Sequence, residues 1–391
     1  MPQENFPKWP EFFEDDFKVT EEILRSGKVN YWTGNEGKSF EKEFAEYFQS
    51  RFAVALSNGS LALTSAYRAL DLEPGDEIIT TPRTFIATTS CAVLLGAVPV
   101  FADVDNESGC INSKNIEPLI NNKTKLISVV HLGGWPAEME SICDLAKSYG
   151  IEVVEDCSQA HGAKINNKSV GTFGKIGTWS FCQEKIMTTG GEGGMITTSD
   201  KEIWEKIWSL KDHGKSREAV FNKKHPSGFK WLHESIGNNY RMTEIQSAIG
   251  RNQLQRLDEW NRIREINAMI LYEILNKISC ISIPLPPNGY KHAWYKFYSY
   301  LIPESLKEDW DRDRIIFEIN SLGFPAFSGS CSEIYLEKCL QEKNLFPKKR
   351  LPVAKKLGET SLMFLIHPNI NTENMRKYAN IIKSVLKQAM K

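Results

Sequence analysis

Along the first two-thirds of the chain, short apolar runs alternate with helical patterns of apolar positions. Residues 53–57, 77–81, 98–103, 125–131, 152–155, 178–181 and 194–198 are short, apolar and rich in β-branched side chains, which predicts strands. Between most of them lie stretches such as 61–70, 84–95 and 136–149, whose spacing predicts helices. Seven such strands separated by helices imply an α/β fold with a mostly parallel sheet covered on both faces. Ligands in such sheets bind beyond the carboxyl ends of the strands.

From 213 to 240 the periodicity fails, and His, Lys, Gly, Asn and aromatic residues dominate. A loop this long inside a compact domain is usually functional. Thr243-Glu-Ile-Gln246 reads as a capping box opening a long amphipathic helix over 243–277. Beyond Ser279 the texture changes: residues 294–302 read as a strand, 313–322 and 373–388 as helices. The expected organisation is a large domain over 1–255 with an N-terminal arm and a smaller α+β domain over 256–391, bridged by the long helix. No internal repeat or low-complexity tract is visible.

Composition adds exclusions. The 391 residues are 41% hydrophobic and 25% charged, which rules out a disordered or fibrous chain. The formal net charge of −1 lacks the basic excess of a nucleic-acid binder. The opening Met-Pro-Gln-Glu-Asn-Phe-Pro-Lys has no basic n-region and no apolar core, so no secretory signal is expected. The longest apolar stretch, 91–102, is interrupted by Gly96 and Pro99 and is too short to span a bilayer. A soluble cytoplasmic protein, touching neither membrane nor nucleic acid, is the expectation. The eight cysteines form no Cys-x-x-Cys pair and read as reduced thiols packed as small hydrophobes. His131, His161, His213, His225 and His233 lack metal-ligand spacing, so no metal site is expected. Gly214-Lys215-Ser216 ends like a phosphate loop, but Ser209 stands where its first glycine belongs. No Gly-x-Gly-x-x-Gly follows the first strand, against a nicotinamide dinucleotide site.

A different constellation carries chemistry. Ser57-Asn58-Gly59-Ser60 joins a strand to a helix, where small residues let a phosphate approach the amides of a helix start; alone, such a segment is more often an ordinary turn. Val153-Val154-Glu155-Asp156 is an apolar strand ending in carboxylates, so one of them lies at the sheet's carboxyl edge. Asp156 there suits a cationic partner such as a protonated ring nitrogen, or else caps a following helix. Lys185 leaves a strand and runs into the glycine-rich Thr188–Gly194 turn. Desolvation there would lower its pKa and leave an amine able to condense with an aldehyde, although most lysines are solvated surface charges. Phosphate turn, aromatic segment, acid and lysine, in that order, are the groups pyridoxal phosphate requires.

With these motifs the chain resembles the sugar-nucleotide aminotransferases of the DegT/StrS type, within the fold-type I (aspartate aminotransferase-like) pyridoxal-phosphate superfamily. The resemblance runs from Tyr31-Trp32-Thr33-Gly34 to Leu365-Ile366-His367-Pro368. It implies pyridoxal 5′-phosphate as cofactor, with its phosphate on the amides of Gly59 and Ser60 and on Ser180. Phe85 would stack on the pyridine ring, Asp156 would pair with the ring nitrogen, and Gln159 would lie near the ring hydroxyl. Lys185 matches the Schiff-base lysine. The stretch Gly237–Met242, with Asn239 and Arg241, matches one that reaches into the neighbouring subunit's site, so Asn239 would touch the partner's phosphate and the unit would be a homodimer. Tyr31, Thr33, Trp135 and Arg241 are the expected substrate contacts. Cys182-Gln183-Glu184 and Trp135 depart from the commoner pattern, where Tyr-Pro-Ser and Gln are frequent.

The implied reaction takes an amine from L-glutamate, with Lys185 moving the proton, and passes it to a nucleotide-linked keto-sugar. The Trp-Thr-Gly start and the Phe181–Gly194 run look most like enzymes aminating carbon 4 of a UDP-linked 4-keto-6-deoxy-acetamido sugar, for surface polysaccharide or glycan such as O-antigen. GDP- or dTDP-linked sugars and carbon 3 are the alternatives. A sister branch that removes a hydroxyl at carbon 3 carries His in place of the lysine, so Lys185 argues against it. A non-catalytic, ligand-sensing member would have no need of the full set of cofactor groups.

Overall fold

The computed structural model describes residues 6–391; Met1–Asn5, part of the opening read against a secretory signal, lies outside them. All seven strands expected from the apolar runs form one sheet. Its order across the sheet is Phe52–Leu56, Gly194–Thr198, Ile176–Ser180, Glu152–Asp156, Thr124–Val130, Glu77–Thr80 and Val98–Phe101. Every pairing is parallel except the two made by Gly194–Thr198, which runs antiparallel to both neighbours. The central strands are buried on both faces, as their unbroken apolar runs require. One side of the sheet packs on Gly59–Ala69 and Lys201–Lys211, through Leu63, Ala66, Ile203 and Ile207. On the other side, Phe40, Phe44 and Phe48 meet Trp179 and Phe181.

Ahead of the first strand, where only an N-terminal arm was expected, Glu14–Ser26 and Glu36–Tyr47 are both helical. Both pack along Glu244–Leu275, the 32-residue helix that opens on the Thr243–Gln246 capping box. Past it, Ile281–Ser282, Phe297–Leu301 and Ser361–Phe364 form an antiparallel three-stranded sheet backed by Arg312–Ser321 and Thr372–Ala389. This region has its own core, with Leu271, Phe297, Phe364, Tyr378 and Ile382 at its centre. The stretch 213–240 is mostly irregular, with one short helix, Arg217–Phe221. No helix among the described residues is long and apolar enough to cross a membrane.

Candidate active site

The parallel strands deliver their carboxyl ends to one edge of the sheet, and a cavity of about 1170 Å³ opens there. Lys185 lines it, presented by a loop that is pinned at both ends. The Lys185 amide donates to the Cys182 carbonyl (3.0 Å), and the Gln183 amide to Gly191 (2.9 Å). Thr188 donates its hydroxyl to Phe181 (2.8 Å) and accepts the Gly191 amide (3.1 Å). Gly190 and Gly191 take φ of 85° and 122°, a region that side chains with a Cβ rarely adopt, which is why the turn is glycine-rich. Burial pushes the Lys185 ammonium below its ordinary pKa, while the charge of Asp156 acts the other way.

Asp156 closes the strand Glu152–Asp156 and is buried. Its Oδ2 accepts the Thr88 hydroxyl at 2.8 Å and its Oδ1 the Ser158 amide at 3.1 Å. No helix follows for it to cap; residues 157–163 are turns leading into Lys164–Ile165. Gln159 accepts the Gly133 amide at 2.7 Å and also lines the cavity. Phe85 stands at the cavity wall and is 67% exposed, an unusual state for a phenylalanine.

At the start of Gly59–Ala69, Asn58 caps the helix by accepting the Leu61 amide at 2.9 Å. The amides of Gly59 and Ser60 have no helical acceptor, as at any helix start, and both residues line the cavity together with Ser180. A Cβ on Gly59 would sit 2.6 Å from Cβ of Ser180, so only glycine brings this turn so close to the Ser180 strand end.

The chain is matched over residues 10–383 by the model of the DegT/DnrJ/EryC1/StrS aminotransferase family. It belongs to that family. An aminotransferase from Psychrobacter cryohalolentis, known by X-ray structure, is 48% identical with a TM-score of 0.97, over 98% of this chain and 99% of that one. The UDP-N-acetyl-3-dehydro-alpha-D-glucosamine 3-aminotransferase of Acidithiobacillus ferrooxidans is 33% identical over 94% of this chain and 95% of that protein. The GDP-perosamine synthase of Escherichia coli O157:H7 is 43% identical over 60% of this chain and 61% of its own. The chain is thus an enzyme of the DegT/StrS aminotransferases, and its cofactor is pyridoxal 5′-phosphate.

The residues present fit that cofactor. The two free amides beside the Ser180 hydroxyl suit a phosphate at the positive end of a helix. Asp156, held through both oxygens and facing a cavity with a nearby ammonium, suits a protonated ring nitrogen.

Not every residue expected at the site of this DegT/StrS chain lines the cavity of its own chain. Tyr31 is buried elsewhere, its hydroxyl donating to Glu41 (3.0 Å) and its ring under the Lys211 ammonium (4.1 Å). Thr33 is exposed and bonds the Asn30 carbonyl at 3.0 Å. Trp135 is buried edge-on to His292. Arg241 pairs with Asp212, and exposed Asn239 bridges the same residue through its main chain. None of these five is in the cavity wall.

Conversely, the wall includes groups that sequence reasoning passed over. Thr88 lies one turn beyond Thr84, and its hydroxyl on a buried helix face was the available signal. Trp9, Arg264, Tyr295, Lys296 and Tyr298 arrive from distant segments, and no local motif marks them; His367 lies in the Leu365–Pro368 segment that closes the resemblance, with no role expected for it. His161 is buried against Trp179 and Phe181, and desolvation holds its pKa down to about 3.

The neighbouring carboxylate, Glu155, points to the other side of its strand. Fully buried beside His131 and Cys157, it forms a cluster with metal-ligand spacing. Its oxygens accept the amides of Gly171 (2.8 Å), Phe173 (2.8 Å) and Gly174 (2.7 Å). Nδ1 of His131 accepts the Ala137 amide at 3.0 Å, so Nε2 carries the proton that it donates to Glu155 at 3.1 Å. Four donors saturate the carboxylate, and the cluster acts as a clamp on the 171–174 turn.

Proposed function

We propose that this enzyme transfers the amine of L-glutamate to a nucleotide-linked keto-sugar, at carbon 4 of a UDP-linked 4-keto-6-deoxy-acetamido sugar. The product would serve surface polysaccharide or glycan synthesis in the cytoplasm. The observation that carries the reading is the convergence of Lys185, Asp156 and the Gly59–Ser60 amides on one cavity of about 1170 Å³. That volume exceeds the ordinary range for a small ligand, leaving room for a nucleotide-sugar beside the cofactor.

Bound there, the cofactor supplies an aldehyde that takes up the amine and a ring that accepts electrons from the donor's α-carbon. Gly59, Ser60 and Ser180 would anchor its phosphate, and Phe85 would cover the ring face. Asp156, fixed by Thr88 and Ser158, would keep the ring nitrogen protonated. The Lys185 amine would move the proton off that α-carbon, a task suited to an amine whose pKa is lowered by burial. The large domain, 1–255, would carry these groups, and the smaller domain, 256–391, would close over the substrate.

A UDP-linked, N-acetylated acceptor is supported by the name of the A. ferrooxidans relative, which itself specifies carbon 3; the E. coli relative's name supports a GDP sugar. Carbon 3 and GDP are therefore the second readings. The test is to prepare the aminated cofactor form with glutamate and offer a panel of UDP-, GDP- and dTDP-linked 3- and 4-keto-sugars. Return of the aldehyde form fastest with the UDP-4-keto sugar is expected. A clear preference for another member overturns the assignment.

The active unit is proposed to be a homodimer. The stretch 213–240 leaves Phe229, Trp231 and Ile236 at 74%, 82% and 86% exposure, an apolar surface that a second copy would cover.

A further inference from the structure

Four cationic side chains line the cavity: Lys8, Lys185, Arg264 and Lys296. Lys185 has its own task, and Lys8 is exposed to solvent. Lys296 is different. It lies just before the strand Phe297–Leu301, half-buried, with its ammonium 4.9 Å from the centroid of the Tyr295 ring. The Lys185 ammonium lies 5.3 Å from the centroid of that same ring, so one aromatic ring carries both. Among the described residues no carboxylate pairs with Lys296, although Glu184 and Glu192 also line the cavity.

Arg264 stands behind, on the long helix. Its guanidinium lies 5.0 Å from the centroid of the Trp9 ring, and Nη1 makes only long contacts to the carbonyls of Trp294 (3.5 Å) and Tyr295 (3.4 Å). Nε and Nη2 are buried without a partner. A buried cation without a counter-charge is costly, and Arg264 with half-buried Lys296 in one wall makes that wall attractive to an anion. Desolvation has already lowered Lys296 to about 8 and Arg264 to about 9.

We infer that Lys296, backed by Arg264, receives a carboxylate of the amino donor. The inference rests on the aminotransferase reading above. The donor's amine must reach the position of the Lys185 ammonium, so its carboxylates lie within a few bonds of it. Lys296, sharing the Tyr295 ring with Lys185, is the free cation within that reach. The diphosphate of a nucleotide-sugar sits a full sugar ring away from the reacting carbon, which favours the donor over the acceptor as the anion. The pair would thus set the enzyme's choice of a dicarboxylic donor over a neutral amino acid.

The test uses the holoenzyme and glutarate, a dicarboxylate with no amine to react. Calorimetric titration should show glutarate binding to the wild type, at least tenfold weaker binding to Lys296→Met, and recovery in Lys296→Arg, as expected for the loss and return of a charge-assisted contact. UDP affinity should be equal in all three. In parallel, Lys296→Met should raise the glutamate KM at least tenfold while leaving the keto-sugar half-reaction intact. Unchanged glutarate affinity in Lys296→Met, or a loss of UDP affinity instead, overturns the inference. A wild type whose cofactor fails to react with glutamate would sink the donor reading itself, whereas normal reaction with an unchanged KM in the variant would sink this inference alone.

Discussion

The indole N–H of Trp9 donates to the main-chain carbonyl of Lys185 at 2.8 Å, tying the N-terminal arm to a lysine 176 residues away. The arm is held in turn by packing. Trp9 meets Trp260 edge-on at 5.0 Å and stacks on His367 at 6.0 Å. Replacing Trp9 with Phe keeps an aromatic ring but removes the donor. A loss of about 1 kcal/mol in stability is expected from one hydrogen bond, read as a lower urea midpoint at unchanged slope. The glutamate half-reaction should slow severalfold because the lysine loop is less fixed. An unaltered rate together with the lower midpoint would limit the bond to a structural role.

Asp156→Asn should leave the cofactor bound but slow the glutamate half-reaction severely, because a neutral side chain no longer favours a protonated ring nitrogen. Thr88→Val removes one of the two hydrogen bonds on that carboxylate and should give a smaller loss in the same direction. Single-turnover absorbance traces measure both. Normal turnover in Asp156→Asn would mean that the carboxylate only shapes the strand end.

The depressed pKa of Lys185 makes a prediction for the cofactor-free chain. Desolvation lowers it below 10.5, so at pH 8 its neutral fraction exceeds that of a surface lysine. It should be acetylated earlier than exposed lysines, as peptide mapping would show. Asp156→Asn removes a charge that raises this pKa, so the variant should react at lower pH still. The linked stability follows the same sign. Below 10.5 the unfolded chain holds this proton more tightly than the folded one, so cofactor-free stability gains from Lys185 as pH rises through its folded pKa toward 10.5. Lys185→Met should flatten that rise.

The sheet and its carboxyl-edge chemistry were legible because both are local. Strands such as Thr124–Val130 announce themselves by apolar, β-branched runs, and Lys185 and Asp156 sit at fixed offsets from strand ends. The N-terminal helices were less visible. Glu14–Ser26 buries only Asp16 and Ile23, so its apolar pattern is thin, and it is held by polar contacts such as Arg256 with Asp16 at 3.2 Å. The far wall of the site was not legible at all. Tyr295 and Lys296 stand before a short strand of another sheet, and what places them beside Lys185 is tertiary packing.

Trp135 shows the converse. Its departure from the family pattern suggested a sugar contact, but it is buried outside the cavity against His292. Trp135→Ala should therefore cost about 3–5 kcal/mol of stability, as large aromatic truncations in cores do. Both half-reactions should fall together, in proportion to folded enzyme. A selective loss of keto-sugar use, with the glutamate half intact, would return Trp135 to the acceptor site.

The last prediction concerns the site's completion by a second chain. Asn239 is exposed and absent from its own chain's cavity wall, and its segment is firmly placed. The Asn238 amide donates to Leu210 (2.9 Å), the Tyr240 amide to Lys211 (2.9 Å), and the Ser57 amide to Tyr240 (2.9 Å). A fixed, exposed asparagine two residues after the glycine of an apolar surface loop fits a group presented to a partner, and closed two-fold pairing is the commonest arrangement for such an interface. Lys185→Ala and Asn239→Asp should each be inactive alone, the second because its carboxylate would face the cofactor phosphate, a like-charge contact. Mixed and allowed to exchange subunits, they should regain activity, since one site of each mixed dimer receives an intact Lys185 from one chain and an intact Asn239 from the other. Random pairing makes half of the dimers mixed and leaves one good site in each, so recovery has a ceiling of about a quarter of wild-type activity. Exchange proven by mass spectrometry with no recovered activity would show that Asn239 serves its own chain or no site at all.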